Sequence, residues 1–230
     1  MAFLRELLAD TVRALVSFGP ELREVVWLTL FVAGTATLIG VLVGIPLGSW
    51  LALGESRIRR IWRLAVNVGM GMPPVLAGLL ILILVWDDGP LGQARLLFTP
   101  AAMIIAQAFL AIPIAAGVTA AAIRGLAPAA REQLDALGLG RAATARVALA
   151  EVWPGVVAAV AAAFGRVVSE VGAVLVVGGN IAGETRVLTT ATVQEARQAD
   201  FATALAFGAV LMVIALVINV FLARVESRRW

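Results

Sequence analysis

Two ionisable side chains interrupt an otherwise apolar run in this sequence. Arg166 and Glu170 stand four residues apart between positions 152 and 177, a spacing that lets them meet on one helix face and neutralise each other. Ionisable residues in such a run default to function, as a gate or part of an ion path, yet a compensated pair also serves as a structural or subunit contact. A second candidate is Gly178-Gly179-Asn180-Ile181-Ala182-Gly183-Glu184-Thr185, which has the glycine spacing of a phosphate-binding loop. Glu184 stands where that motif requires Lys, and a carboxylate there repels a triphosphate. The segment therefore reads as a tight exit from an apolar helix, with Gly and Asn supplying backbone angles that other residues resist. The chain has no Cys and no His, which removes disulfides, thiolate chemistry and the commonest general base and zinc ligand. No catalytic residue, metal site or cofactor is expected, and the chain reads as something other than an enzyme.

The segment 126–140 carries a different signal. Pro128 suits the first turn of a helix, Leu126, Ala130, Leu134 and Leu137 share one apolar face, and Gly138 and Gly140 end it. Arg131 and Asp135 can pair, and Glu132 adds acid, so the polar face lacks the basic character of a helix resting on anionic lipid. Docking into a groove of a cytoplasmic protein is the alternative to lying on the bilayer.

The elements that must position these residues follow from composition. Of 230 residues, 61% are apolar and 14% charged, and mean hydropathy is +0.98, whereas soluble domains run about 45–50% apolar and about 25% charged. A soluble globule is excluded. Crossing a membrane takes about 20 predominantly apolar residues, and the uncharged stretches 25–54, 64–86 and 96–123 each suffice. The runs 152–177 and 201–223 complete an all-α, polytopic membrane protein with five transmembrane helices. A β-barrel is excluded because no period-2 alternation appears.

The basicity, with 18 Lys plus Arg against 15 Asp plus Glu, is a topology signal rather than a nucleic-acid footprint, since the cations lie scattered between apolar runs. Arg57, Arg59, Arg60 and Arg63, then Arg124, Arg131, Arg141 and Arg146, then Arg224, Arg228 and Arg229 fall on one side of a five-span chain. That side is expected to be cytoplasmic, which places the N-terminus outside and the C-terminus inside. Residues 1–18 are too charged for a secretory signal peptide, and Leu4, Leu8, Val12 and Leu15 recur at helical spacing, so an interfacial helix is expected within 1–24. Gly19 and Pro20 end it, and Trp27 is placed to anchor the first span at the headgroup level. One membrane domain follows over 25–223, with a cytoplasmic tail over 224–230. Gly40, Gly44 and Gly48 put three flat patches on one helix face for close packing. Pro46 in the first span, and Pro73 with Pro74 early in the second, predict kinks.

Several blocks together resemble a known family. Glu132 and Gly138 match the ends of the cytoplasmic motif Glu-Ala-Ala, three residues, Gly, of the membrane subunits of binding-protein-dependent ABC importers. Gln133 and Leu134 replace the two Ala, and Glu151 falls near the Leu-Pro that closes the motif. Met72-Pro73-Pro74-Val75-Leu76-Ala77-Gly78, Asp88-Gly89-Pro90-Leu91-Gly92, and Ser169-Glu170-Val171-Gly172-Ala173 followed by Gly178-Gly179-Asn180-Ile181 resemble the tungstate, molybdate and sulfate group in the same order. The Ser-Glu-Val-Gly-Ala form, with Phe98-Thr99-Pro100-Ala101-Ala102-Met103 and Thr185-Arg186-Val187-Leu188-Thr189-Thr190, is most similar to tungstate permeases.

The resemblance implies a type I ABC importer permease fold in the bacterial or archaeal cytoplasmic (inner) membrane. It implies a cytoplasmic ABC ATPase subunit, a periplasmic or lipid-anchored oxyanion-binding protein and a second copy of the chain as partners. It also makes 128–140 a coupling helix, with Glu132, Asp135, Leu137 and Gly138 seated in the ATPase. Arg166, Ser169, Glu170, Gly172, Asn180, Thr185, Arg186, Thr189 and Thr190 are the expected residues for translocation path, gate or dimer contact. The alternatives are molybdate or sulfate as cargo, an autonomous channel or secondary transporter relying on the Arg166 and Glu170 pair, and a structural membrane protein with no path.

Overall fold

The computed structural model describes residues 2–16 and 19–227, and all of their regular structure is helical, without a strand. Eleven α-helices follow in order. They are α1 Ala2–Val16, α2 Pro20–Ala52, α3 Arg57–Met70, α4 Pro74–Val85, α5 Pro100–Arg124, α6 Pro128–Ala136, α7 Arg141–Glu151, α8 Trp153–Val168, α9 Gly172–Gly178, α10 Leu188–Arg197 and α11 Phe201–Ser227. A single 3-10 turn, Gly92–Ala94, interrupts the connection to α5. Arg228 and Arg229, placed in the tail by the sequence, lie outside the described residues.

Three helices are long and apolar enough to cross a membrane unaided: Glu21–Ala52, Pro100–Arg124 and Phe201–Ser227. Five crossings result if Arg57–Met70 with Pro74–Val85, and Arg141–Glu151 with Trp153–Val168, each count as one broken span. The first, third and fifth expected spans are therefore single helices, and the other two are not. In the second, the consecutive Pro73 and Pro74 break the helix outright where the sequence predicted a kink. Neither residue carries an amide proton, so α3 closes on Gly71 and α4 restarts with Pro74 in its first turn. In the fourth, α8 stops at Val168 and α9 begins at Gly172. The preceding α7, whose Ala-rich sequence favours helix, is the other half of the bent pair, at 84° to α8. Pro46, by contrast, is absorbed within α2.

The chain forms two compact units. One comprises Met1–Ala36, Pro73–Gln107 and Val167–Ile218, the other Thr37–Met72, Ala108–Arg166 and Asn219–Trp230. In the first, α4 packs on α9 through small residues: a Cβ on Gly78 would lie 2.7 Å from Ala173 Cα, and one on Gly172 would lie 2.7 Å from Val75 Cγ2. Val25, Leu188, Ala191 and Phe207 form a further core there, joining α2, α10 and α11. Beyond this core α11 is largely uncovered, with Met212 71% exposed and Leu216, Val217 and Phe221 also outward, as expected of a lipid-facing span. Asp200 starts α11 by accepting the Thr203 amide at 3.0 Å on Oδ1 and the Thr203 hydroxyl at 2.8 Å on Oδ2. These bonds, the backbone one foremost, hold its carboxyl below the usual carboxylate range.

In the second unit the predicted glycine stripe meets α5. A Cβ would lie 2.5 Å from Ala111 Cβ at Gly40, 2.6 Å from Ala115 Cβ at Gly44, and 2.4 Å from the Ala116 carbonyl oxygen at Gly48. Backbones this close leave room for nothing larger than hydrogen on one side. Leu51, Val66, Ala116 and Ala120 continue the contact, and Ile123, Leu134 and Ala148 form a smaller core where α5, α6 and α7 converge.

Replacing Gly44 by Leu must push α2 and α5 apart, at a cost of about 1–3 kcal/mol or more. Thermal unfolding of the detergent-purified variant is expected at a clearly lower midpoint than wild type. Gly34→Leu, at a position where an added Cβ meets nothing within 4 Å, is expected to leave the midpoint unchanged.

Candidate functional site

Two groups of residues singled out by the sequence have definite geometry. The first surrounds the break between α8 and α9 and the loop that follows α9. Helix ends leave carbonyls and amides without intrahelical partners, and in an apolar setting each must find another. At this break side chains supply them. Gln107 Nε2 donates to the Val167 carbonyl at 3.1 Å, and Glu170 Oε1 accepts the Ala173 amide at 3.1 Å, capping α9. The Thr189 hydroxyl donates to the Glu170 carbonyl at 3.0 Å. Glu170 is buried at 6% exposure. It stands beyond the last residue of α8, so the continuous helix face expected to carry both Arg166 and Glu170 does not exist. Arg166 is half-buried in the last turn of α8, Ser169 is exposed in the break, and Gly172 opens α9 against Val75.

The loop after α9 is a tight exit, as its glycines imply. Gly179 and Asn180 take left-handed backbone angles, φ 72° and 57°. Thr185, fully buried, donates its hydroxyl to the Gly178 carbonyl at 2.5 Å and accepts the Ile181 amide at 2.9 Å. Glu184 is exposed. The segment is thus folded on its own backbone, and the Thr185 hydroxyl is already committed. Thr190 does the same at the start of α10, bonding both the amide and the carbonyl of Val187. Arg186 Nη1 pairs with Glu21 Oε1 at 3.1 Å; the Arg side chain is 16% exposed and the Glu side chain 71%. Asn180 donates through Nδ2 to Gln194 Oε1.

The sequence reading missed Gln107, Thr29, Glu21 and Gln194. Thr29 accepts the Leu188 amide at 2.9 Å and so ties α2 to the start of α10. The one signal available was polarity inside an apolar run, at Thr29 and Gln107; nothing in the sequence names their partners.

The second group is α6 and the turn after it. Leu134 is buried among Ile123 and Ala148, with Leu126 packed alongside, while the Arg131 guanidinium donates to the Arg124 carbonyl. The expected apolar face therefore divides: Leu126, Ala130 and Leu134 turn inward, and Leu137 is 57% exposed past the end of the helix. Glu132 is exposed too, and Gly138 takes φ 58° with no atom near the place a Cβ would occupy. The side chain of Asp135 lies outside the described residues. This is a projecting knob, held through Leu134, Leu126 and the Arg131 bond to the Arg124 carbonyl and offering an acid, an apolar side chain and a bare glycine. Such a projection suits docking into another protein.

Both the sequence and the fold have counterparts among known proteins. The profile of the family described as binding-protein-dependent transport system inner membrane component matches residues 44–230. The tungstate uptake system permease protein of Peptoclostridium acidaminophilum is 36% identical over 95% of this chain and 96% of its own. The molybdenum transport system permease protein of Azotobacter vinelandii is 30% identical over 80% of this chain and 86% of its own. Among solved structures, an inward-facing methionine ABC transporter shares the fold, with TM-score 0.73 and 21% identity over 90% of this chain and 94% of that one.

Because Thr185 serves the buried Gly178 carbonyl and the partly buried Ile181 amide, Thr185→Val leaves both without that partner, at a cost of about 1–3 kcal/mol. Hydrogen exchange over residues 178–186 is expected to speed up in that variant and to stay near wild type in Thr185→Ser, which keeps the hydroxyl.

Proposed function

The chain belongs to the family of binding-protein-dependent transport system inner membrane components, a polytopic inner-membrane protein, and from that premise we propose that it is the permease of an ABC importer for a tetrahedral oxyanion, with tungstate as the cargo. The observation that carries the cargo is the end-to-end correspondence with the tungstate uptake permease at 36% identity over 95% of the chain. Molybdate is the second reading, favoured by the molybdenum permease at 30% identity.

On this reading two copies of the chain flank the path, since the chain by itself offers few crossings from which to build a gated polar channel. The arginine-rich connections face the cytoplasm, the N-terminus lies outside, and a periplasmic or lipid-anchored binding protein delivers the anion. The permease makes and breaks no covalent bond. Its work is mechanical: a separate ATPase subunit takes hold of the knob formed by Glu132, Leu137 and Gly138, and closure of the ATPase pair on ATP draws the two knobs together. The spans then rock between inward-open and outward-open states. Leu134 transmits the displacement, because it joins the knob to α5 and α7 through one buried core. The break at 169–171, stitched by Glu170 and Thr189, lies in a segment whose helices are discontinuous, the construction that transporters use where irregular backbone meets a path. Selectivity resides chiefly in the binding protein, and the path needs only weak attraction for a dianion.

Proteoliposomes holding the permease with its ATPase are expected to take up tungstate only when ATP and loaded binding protein are supplied. Uptake at the same rate without the ATPase would sink the reading, and uptake of molybdate but not tungstate would transfer it to the second cargo. Gly138→Leu forces a branched side chain into a left-handed angle, strained by about 1 kcal/mol or more, and adds bulk to the knob. It is expected to insert normally yet lose ATPase in a pull-down, while Gly138→Asn, which tolerates that angle, retains it.

A further inference from the structure

The second unit contains a cleft of about 500 Å³ between the end of α2 and the start of α7. Its walls are of two kinds. Trp50, Leu53 and Leu149 are apolar, whereas Arg59, Arg141 and Arg146 bring three guanidiniums, and no acidic residue lines it. Arg59 lies over the Trp50 ring, 5.2 Å from its centroid, a cation–π contact that steadies both side chains. Arg141 and Arg146 are exposed, and no ion pair engages them among the described residues. Unpaired guanidiniums beside alkyl walls favour a ligand that is anionic at one end and apolar at the other, with phosphate as the best match to the guanidinium fork.

The position of the cleft selects among such ligands. On the five-span reading α8, the apolar half of the bent pair, carries the fourth crossing, and α7 meets it at 84°. So α7 runs in the plane of the membrane, at the level where headgroups give way to acyl chains. Trp50, near the end of a crossing helix, is the residue type that marks that level. At this level anionic phospholipid is present at high local concentration, and a soluble phosphate gains nothing from Leu53 and Leu149. The contrast with α6 is consistent, because α6 lacks a basic face and α7 has one.

We propose that this cleft binds an anionic phospholipid of the phosphatidylglycerol type, its phosphate held by Arg141 and Arg146 and an acyl chain lying along Leu53 and Leu149. Leu139, which leads from Gly138 into α7, also lines the cleft. The lipid therefore anchors the arm that joins the projecting knob to α8 and stiffens it against the bilayer. This goes beyond the transport reading and does not depend on the cargo.

The test uses the full chain in phosphatidylcholine nanodiscs containing a small fraction of phosphatidylglycerol brominated in its acyl chains. Trp50 fluorescence is isolated by subtracting the Trp50→Phe protein. Brominated phosphatidylglycerol is expected to quench Trp50 with about a tenfold lower half-saturating fraction than brominated phosphatidylcholine. In Arg141→Gln/Arg146→Gln the two lipids should become equivalent, whereas Arg141→Lys/Arg146→Lys, which keeps the charge, should retain most of the preference. Unfolding midpoints of both variants near wild type show that the fold survives; if the Gln variant unfolds, dependence of wild-type quenching on the lipid headgroup still decides. Equal quenching by the two lipids in wild type overturns the proposal. So does displacement of the lipid by millimolar glycerol phosphate, which would mark a site for soluble phosphate. Loss of ATPase binding in the Gln variant with its lipid preference intact would assign the arginines to the protein partner and overturn it as well.

Discussion

A backbone amide or carbonyl that loses its helical partner in an apolar environment has no water to turn to, and leaving it bare costs more than most side-chain contacts return. That constraint accounts for the placement of the polar residues in the first unit. Glu170 and Gln107 serve the two sides of one helix break, Thr185 bridges the exit of α9, and Thr29 and Thr190 serve amides at the start of α10. Several residues that look like a polar path in the sequence also serve as the stitching that permits irregular backbone among apolar helices. The discontinuity between α8 and α9 exists because its loose ends are tied.

Close packing supplies the complementary half of the architecture. Lipid tails are as apolar as leucine, so helices gain little from burying one apolar surface on another and instead gain from close approach. The contacts of Gly40, Gly44 and Gly48 with Ala111, Ala115 and Ala116, and of Gly78 with Ala173, are of this kind. The large hydrophobics are then free to face outward, as α11 shows with Met212, Leu216 and Phe221. The usual rule of large apolar residues inside is relaxed, because the solvent is itself a hydrocarbon.

Stitching and packing suit a protein whose proposed work is to move rather than to react. Rigid helix pairs transmit displacement, and a knob anchored through Leu134 would give a partner something to grip. On the proposed reading the α7 arm, lying at 84° to α8, converts motion at that knob into motion of a crossing helix. The proposed lipid site would place the same arm under the influence of the surrounding bilayer. The absence of His and Cys fits the proposed division of labour, in which the energy would come from a nucleotide bound by another subunit and this chain needs side chains that hold shape.

Hydropathy and periodicity are local properties, and what they determine was legible in the sequence. That includes the membrane setting, the three unbroken spans, the glycine face of α2, and α6 running from Pro128 to a stop near Gly138. The family was legible too, since its motifs are short and contiguous. The partner of the glycine face was not, because any helix with small residues would serve and only the fold brings Ala111, Ala115 and Ala116 opposite. Nor was the break at 169–171. There, helix propensity alone continues from Val168 into Gly172, and the competing bonds come from Gln107 and Thr189, remote in sequence. A threonine hydroxyl in an apolar run can face a path or a carbonyl with equal local justification; which one it faces depends on whether a distant loop presents an unpaired backbone group, and that is settled only in three dimensions.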